Sequence, residues 1–266
     1  MAKFSAAVVW QHRSLLRALV VRDVQNRYAG SVAGMFWALV HPLVLLTIYA
    51  VVFAYVFRVQ VPQASAQQPY VLFVATGLWP WLAFQEALVR GTTAVQAHAA
   101  LVKKVAFPHE LLVYSCVIAS FVVHTLGFVV VLVTLWLMGF GVNLWSLPVL
   151  ILGLALLLIL AMAFGLLLGA LQVFVKDVEQ LLSQFMSVLF YATPILFSMS
   201  QVPHWLANVM QFSPLVHIIE MMRGAVLMTD MVNWIQVASL LIVAMLTFYL
   251  ARRFFLRLSP YFEDMV

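Results

Sequence analysis

Few side chains in this sequence could do chemistry, and they do not gather. Seven histidines are scattered through it (His12, His41, His98, His109, His124, His204 and His217), and no two have zinc-site spacing with a third ligand. No metal site is expected. His124 lies in an uncharged run beside Thr125, where a hydrogen bond between helices is the plainer role than catalysis. Asp177 and Glu179 are one acidic pair; Glu220 and Arg223, at i, i+3, would meet on one helical face. The second pair neutralises itself where water is scarce, and a proton relay is the sharper alternative. The sequence has no G-x-x-x-x-G-K-[ST] loop, no H-E-x-x-H and no G-x-S-x-G, so no catalytic residue and no nucleotide site are expected in this chain.

The elements that must carry these residues are membrane helices. Of 266 residues, 65% are apolar and 9% charged, against about 25% charged in soluble domains. Mean hydropathy is +1.07, and residues 111–175 hold no charge at all. The sequence pattern predicts an all-α integral membrane protein that forms a single transmembrane domain over 1–266, with six spans near 35–57, 70–89, 110–138, 147–174, 180–199 and 232–251. Residues 8–29 are helix-permissive and basic, with Leu16, Leu19, Val20 and Val24 on one face, and read as an amphipathic interface helix at the cytoplasmic surface. A disordered basic lead is the alternative. Residues 200–231 form an external region whose short apolar segments suit re-entrant helices.

Charge sets the orientation. Lys3, Arg13, Arg17, Arg22, Arg27, Arg90, Lys103, Lys104, Lys176, Arg252, Arg253 and Arg257 fall on one side of this topology, and only Arg58 and Arg223 on the other. The positive-inside rule then puts both termini in the cytoplasm and accounts for the basic pI without nucleic acid. The polar lead is too long and the first apolar run too extended for a cleavable signal, although Ala64-Ser65-Ala66 resembles a cleavage site. The single cysteine, Cys116, reads as a buried thiol. Gly30/Gly34 and Gly165/Gly169 permit close helix approach, within one subunit or between two.

Aromatic residues give the remaining signal. Tyr49, Phe53 and Phe57 recur every four residues; Trp79, Trp81 and Phe84 cluster; Phe190 and Tyr191 precede Thr193-Pro194. Such rings are ordinarily interfacial anchors or core. They would also suit a weakly binding lining for a glycan, whose sugar rings offer apolar C–H faces. That reading makes Tyr49, Phe53, Phe57, Trp79, Trp81, Phe84 and Tyr191 a candidate translocation path.

One stretch is distinctive. Arg22-Asp23-Val24-Gln25-Asn26-Arg27-Tyr28-Ala29-Gly30-Ser31, followed by Gly34, Trp37 and Pro42, resembles the R-D-x-x-x-R-Y-x-G-S-x-x-G-x-x-W-x-x-x-x-P signature of polysaccharide-export ABC transporter permeases of the type-2 exporter superfamily. Lys104-Val105-Ala106-Phe107-Pro108, Phe174-Val175-Lys176-Asp177, Thr193-Pro194-Ile195, Ser213-Pro214-Leu215 with Arg223, and the tail Leu258 to Asp264 resemble further family blocks in order. Ser213 and Lys176 stand where Asn and Arg are commoner. The resemblance implies a homodimeric permease in the bacterial inner membrane, served by two copies of a separate P-loop ATPase that binds the ATP and Mg. The cargo would be lipid-linked polysaccharide: O-antigen first, then capsular polysaccharide, then teichoic acid. It further implies an ATPase-facing surface at Arg13, Arg17, Arg22, Asp23, Arg27, Lys103, Lys104, His109 and Glu110, and an external gate at Pro214, Glu220 and Arg223. A protein-lined route fits the cost of carrying polar groups through hydrocarbon. The competing readings are a membrane enzyme acting on lipid-linked sugars, which should gather acids at one membrane face, and a membrane scaffold.

Overall fold

The computed structural model describes residues 10–27, 34–56, 70–104, 107–228 and 232–266. Every regular element among them is helical. In chain order these are α1 (Arg13–Arg27), α2 (Trp37–Val51), α3 (Tyr70–Ala97), α4 (Ala99–Lys104), α5 (Glu110–Leu137), α6 (Leu147–Phe174), α7 (Val178–Tyr191), α8 (His204–Met210), α9 (Pro214–Leu227), α10 (Trp234–Leu258) and α11 (Phe262–Met265). Among the described residues four segments are long and apolar enough to cross a membrane: Tyr70–Ala97, Glu110–Leu137, Leu147–Phe174 and Trp234–Met265. α2 continues a 3-10 turn, Gly34–Phe36, and runs into a π-helical turn, Val52–Val56.

α3 is the axis of the bundle. It packs along α5 and α6 and also meets α2, α7 and α9. Small residues let the backbones close. A Cβ on Gly169 would stand 3.0 Å from the Gly91 carbonyl oxygen, and one on Gly91 would stand 3.3 Å from the Gly165 Cα. The Gly165/Gly169 pair of α6 therefore packs on α3 of the same chain. Thr76 and Thr92 fold their hydroxyls back onto the Leu72 and Leu88 carbonyls, so neither leaves a bare polar group in the core.

Several boundaries differ from those the sequence predicts. The second span was expected to end at 89, yet α3 runs on to Ala97. Arg90 does not end it, because Asp23 lies 2.7 Å away and neutralises it. The fifth span was expected over 180–199. α7 stops at Tyr191, because the residue before Pro194 is steered away from helix. At 14 residues it is about 21 Å long, short of the ~30 Å hydrocarbon core. α10 extends past the expected 251 to Leu258. α1 packs against α5 through buried Leu16 and Leu19 and keeps Arg13, Arg17 and Arg22 exposed.

Candidate functional site

The irregular stretch after α7 is buried, and carbonyls in it and in the last turn of α7 are taken up by side chains. Thr193 donates its hydroxyl to the Leu189 carbonyl (2.7 Å), Tyr70 to the Leu196 carbonyl (2.5 Å), and Arg223 Nη2 to the Ile195 carbonyl (3.1 Å). Non-helical backbone at membrane depth requires this protection. The Arg223 guanidinium is 2% exposed. It lies 3.8 Å from the centroid of the Phe73 ring and donates Nη1 to Glu220 (2.8 Å). Gly77 leaves the room, since a Cβ there would meet Arg223 Nη2 at 2.5 Å. Thus α9, the break after α7 and the first turns of α3 are held at one point. Pro214 opens α9 at its first helical position, where its missing N–H costs nothing.

Rings form a connected series beside this point. Tyr191 meets Phe190 edge-on (5.2 Å between centroids), Phe190 stacks on Tyr49 (5.9 Å), and Tyr49 meets Phe53 edge-on (6.4 Å). Phe53 continues to Tyr70 (6.3 Å) and Tyr70 to Phe73 (5.9 Å). A branch runs from Phe190 to Trp81 (5.9 Å) and on to Phe84 (6.4 Å). Within this chain Trp81 and Phe84 are buried, Tyr49 and Phe53 are half-buried, and Tyr191 is exposed. Trp79 stands apart: it is buried on another face of α3, against Gly127 of α5. Phe57 lies outside the described residues. Tyr70 and Phe190 are the links that complete the series. Their signal in the sequence was position, beside the turns that bound α3 and α7, rather than composition.

The cationic and acidic residues read as one ATPase-facing surface divide in two. Arg13, Arg17, Arg22, Lys103 and Lys104 are exposed. Asp23, Arg27 and Glu110 turn inward. Glu110, 1% exposed, receives Nε and Nη2 of Arg252 at 2.8 and 3.1 Å, which ties α5 to α10. Arg27 pairs with Glu86 of α3 and donates Nη2 to the Ser120 hydroxyl of α5 (2.9 Å). His124 Nε2 donates to the other Glu86 oxygen at 2.6 Å. The bond between helices expected of His124 is thus present, and its acceptor is a carboxylate. α5 has 28 residues, about 42 Å of helix, and His124 lies at its midpoint. Glu86 escaped the sequence reading although it stands four residues before Arg90, as Asp23 stands four before Arg27.

Gln172 organises the turn between α6 and α7. It is buried, donates Nε2 to the Lys176 carbonyl (3.2 Å), and accepts the backbone N–H of Glu179 (2.8 Å). Asp177 and Glu179 thus belong to a helix start, and among the described residues no third acid joins them and no cluster of His, Cys, Asp and Glu could hold a metal ion. His109 lies beside this packing. Its ring stacks on Phe262 (6.1 Å), which is fully buried against Phe255 (5.2 Å) and Phe174 (6.1 Å). Burial pushes the His109 imidazole below its ordinary value, partly offset by Glu263 and a hydrogen bond with the Ser259 backbone.

The described residues thus hold a break after α7 capped by side chains, with a buried arginine at that break. The model of the ABC-2 type transporter family matches residues 14–227. This chain belongs to that family. It is similar to the O-antigen export system permease protein RfbA of Klebsiella pneumoniae, 28% identical over 208 residues that cover 77% of each chain. The protein of the same name in Myxococcus xanthus is 29% identical over 200 residues, 73% of this chain and 72% of that one. The polysialic acid transport protein KpsM of Escherichia coli is 22% identical over 213 residues, 80% and 81% of the two chains. As an ABC-2 family member with four long apolar helices, the chain is a multi-pass membrane protein. The match spans both the α1 ion pairs and the arginine point on α9, so the two features lie within the family region.

Proposed function

We propose that this chain is the transmembrane subunit of an ATP-driven exporter that moves lipid-linked polysaccharide from the cytoplasmic to the outer face of the bacterial inner membrane. Its cargo is O-antigen in the first reading and capsular polysaccharide in the second. The observation that carries this is an ABC-2 transporter match over residues 14–227 in a chain that has no nucleotide-binding loop of its own. The functions of the relatives named above supply the cargo class. ATP and Mg are bound by a separate P-loop ATPase, two copies to a homodimer of this permease. Six spans leave both termini in the cytoplasm, and Arg13, Arg17, Arg22, Lys103 and Lys104 present charge to the ATPase. The ring series from Tyr191 to Phe53, with Trp81 and Phe84, flanks the glycan route, and α9 with Pro214, Glu220 and Arg223 forms its outer gate.

The test is purification in mild detergent from native membranes, then reconstitution in vesicles. A stoichiometric P-loop ATPase is expected to come with the chain, and the pair is expected to carry lipid-linked glycan across the bilayer only when ATP is supplied. A chain that purifies without any ATPase, even after crosslinking in the membrane, overturns the proposal.

A further inference from the structure

Asp23 and Arg27 stand four residues apart on α1, and Glu86 and Arg90 four apart on α3. Arg90 Nη2 meets Asp23 Oδ2 at 2.7 Å, and Arg27 pairs with Glu86. The lower number on one helix pairs with the higher on the other, so the helices run antiparallel along a two-rung ladder whose rungs have opposite polarity. α5 closes the inner rung, with Ser120 on Arg27 and His124 on Glu86. The Arg27 side chain is 8% exposed, and that of Asp23 12%.

Ion pairs sunk in a membrane bundle are costly, and an apolar contact of similar volume is often as stable. What charges add is register. Leu16 and Leu19 seat α1 on the bundle by non-directional contact, which tolerates slip. Two rungs of opposite polarity do not: a displacement of one turn would bring Asp23 toward Glu86. The same helix, α3, holds Arg223 at its other end through Phe73 and Gly77. Glu86 stands nine positions after Gly77, about 14 Å along α3, which stays helical through Pro80.

We propose that Asp23, Arg27, Glu86 and Arg90 are positioning residues that make α1 and α3 move as one body, so that a push on α1 from the ATPase reaches the arginine point beneath α9. This rests on the export function proposed above. It also gives Asp23 and Arg27 a partner inside the permease rather than on the ATPase.

The test uses the full permease with its ATPase in vesicles loaded with lipid-linked glycan from the native membranes, reading glycan exported per ATP hydrolysed. Asp23→Asn and Arg90→Gln are each expected to lower that ratio about tenfold, within the range of a coupling free energy. The conservative variant Asp23→Glu, which keeps the rung and its polarity, is expected to stay within about twofold of wild type, and Asp23→Asn combined with Arg90→Gln should cost no more than either alone, as paired residues should. A double variant that costs the product of the two singles, or hydrolysis and export falling together at constant ratio, overturns the proposal. Asp23→Cys with Arg90→Cys is the second test. Bridging the two thiols with a short crosslinker is expected to restore coupled export. A bridged complex that hydrolyses ATP and exports nothing would mean that α1 and α3 must separate, and the ladder would fall. If the wild-type complex hydrolyses ATP but exports no glycan, it is the underlying function that fails instead.

Discussion

Gly77 is a residue whose identity is set by its neighbour's bulk. Glycine inside a helix costs about 0.5–1 kcal/mol relative to alanine, so a reason to keep it has to be found in packing. The Arg223 guanidinium occupies the space a Cβ would need, and the Ile195 backbone would lie 3.4 Å from that Cβ. The arginine is held by the Phe73 face, the Ile195 carbonyl and Glu220, so it has nowhere to go without releasing one of them. Gly77→Ala is therefore expected to cost about 1–3 kcal/mol by overpacking, read as a lower melting temperature in nanodiscs. In an Arg223→Leu background the same substitution should cost measurably less, because the shorter side chain frees the space and the two sites are coupled. Equal penalties in both backgrounds would show that the guanidinium is not what Gly77 accommodates.

At the scale of elements, what could be read in the sequence and what could not separate along one physical line. Spans three and four run Glu110–Leu137 and Leu147–Phe174, within a residue of the sequence boundaries, because a long uncharged run bounded by polar turns leaves one helical solution. The end of α7 was misplaced because apolar composition continues through Ile195 and Leu196 while the backbone, at Thr193-Pro194, leaves the helix. The end of α3 was misplaced for the opposite reason: a charge taken as a boundary was neutralised by a residue 67 positions away. Pairings between distant segments have no local signature, although the i, i+4 spacing of opposite charges on both partners was present. The closing element shows the same logic. α11 docks by one ring, Phe262, under His109, whose neutral form is favoured by burial. With its folded value below the ordinary 6.5, burial outweighing the opposing pull of Glu263 and the Ser259 backbone, His109 takes up a proton less readily in the folded protein than in a chain that leaves the imidazole in water. Docking is thus at full strength above that value and weakens as pH falls through it, until the docked form protonates as well. A fluorophore attached through Asp264→Cys is expected to gain mobility between pH 7.5 and 5.5, and a His109→Phe variant should flatten that response. A tail equally mobile at both pH values would remove His109 from the docking account.

At the scale of the whole molecule, the question is which way the bundle sits in the bilayer. α8, α9 and the turn between α5 and α6 must share one face, opposite the ends of α3, α5 and α10 that carry Arg90, Glu110 and Arg252. The six crossings proposed above satisfy this, with α2 and the short α7 counted as spans. A 14-residue α7 cannot cross a ~30 Å core alone, so under that proposal its crossing is completed by the stretch from Ala192 to Ser198. That completion would explain why Tyr70 and Arg223 cap the Leu196 and Ile195 carbonyls, and it couples topology to the proposed gate: if the stretch lost its caps, a fifth crossing would leave bare carbonyls in lipid. The orientation is testable because the native thiol, Cys116, is buried and gives little background. Trp145 and Trp205, 92% and 70% exposed, are sites for cysteine on one face; Lys104 and Lys176 are exposed on the other. Trp145→Cys and Trp205→Cys are expected to react with a membrane-impermeant maleimide on intact spheroplasts, and Lys104→Cys and Lys176→Cys only after permeabilisation. Reaction of Lys176→Cys from outside, with Trp205→Cys protected, would invert the bundle. The charge asymmetry would then lose its meaning, and α9 would gate the cytoplasmic mouth rather than the outer one.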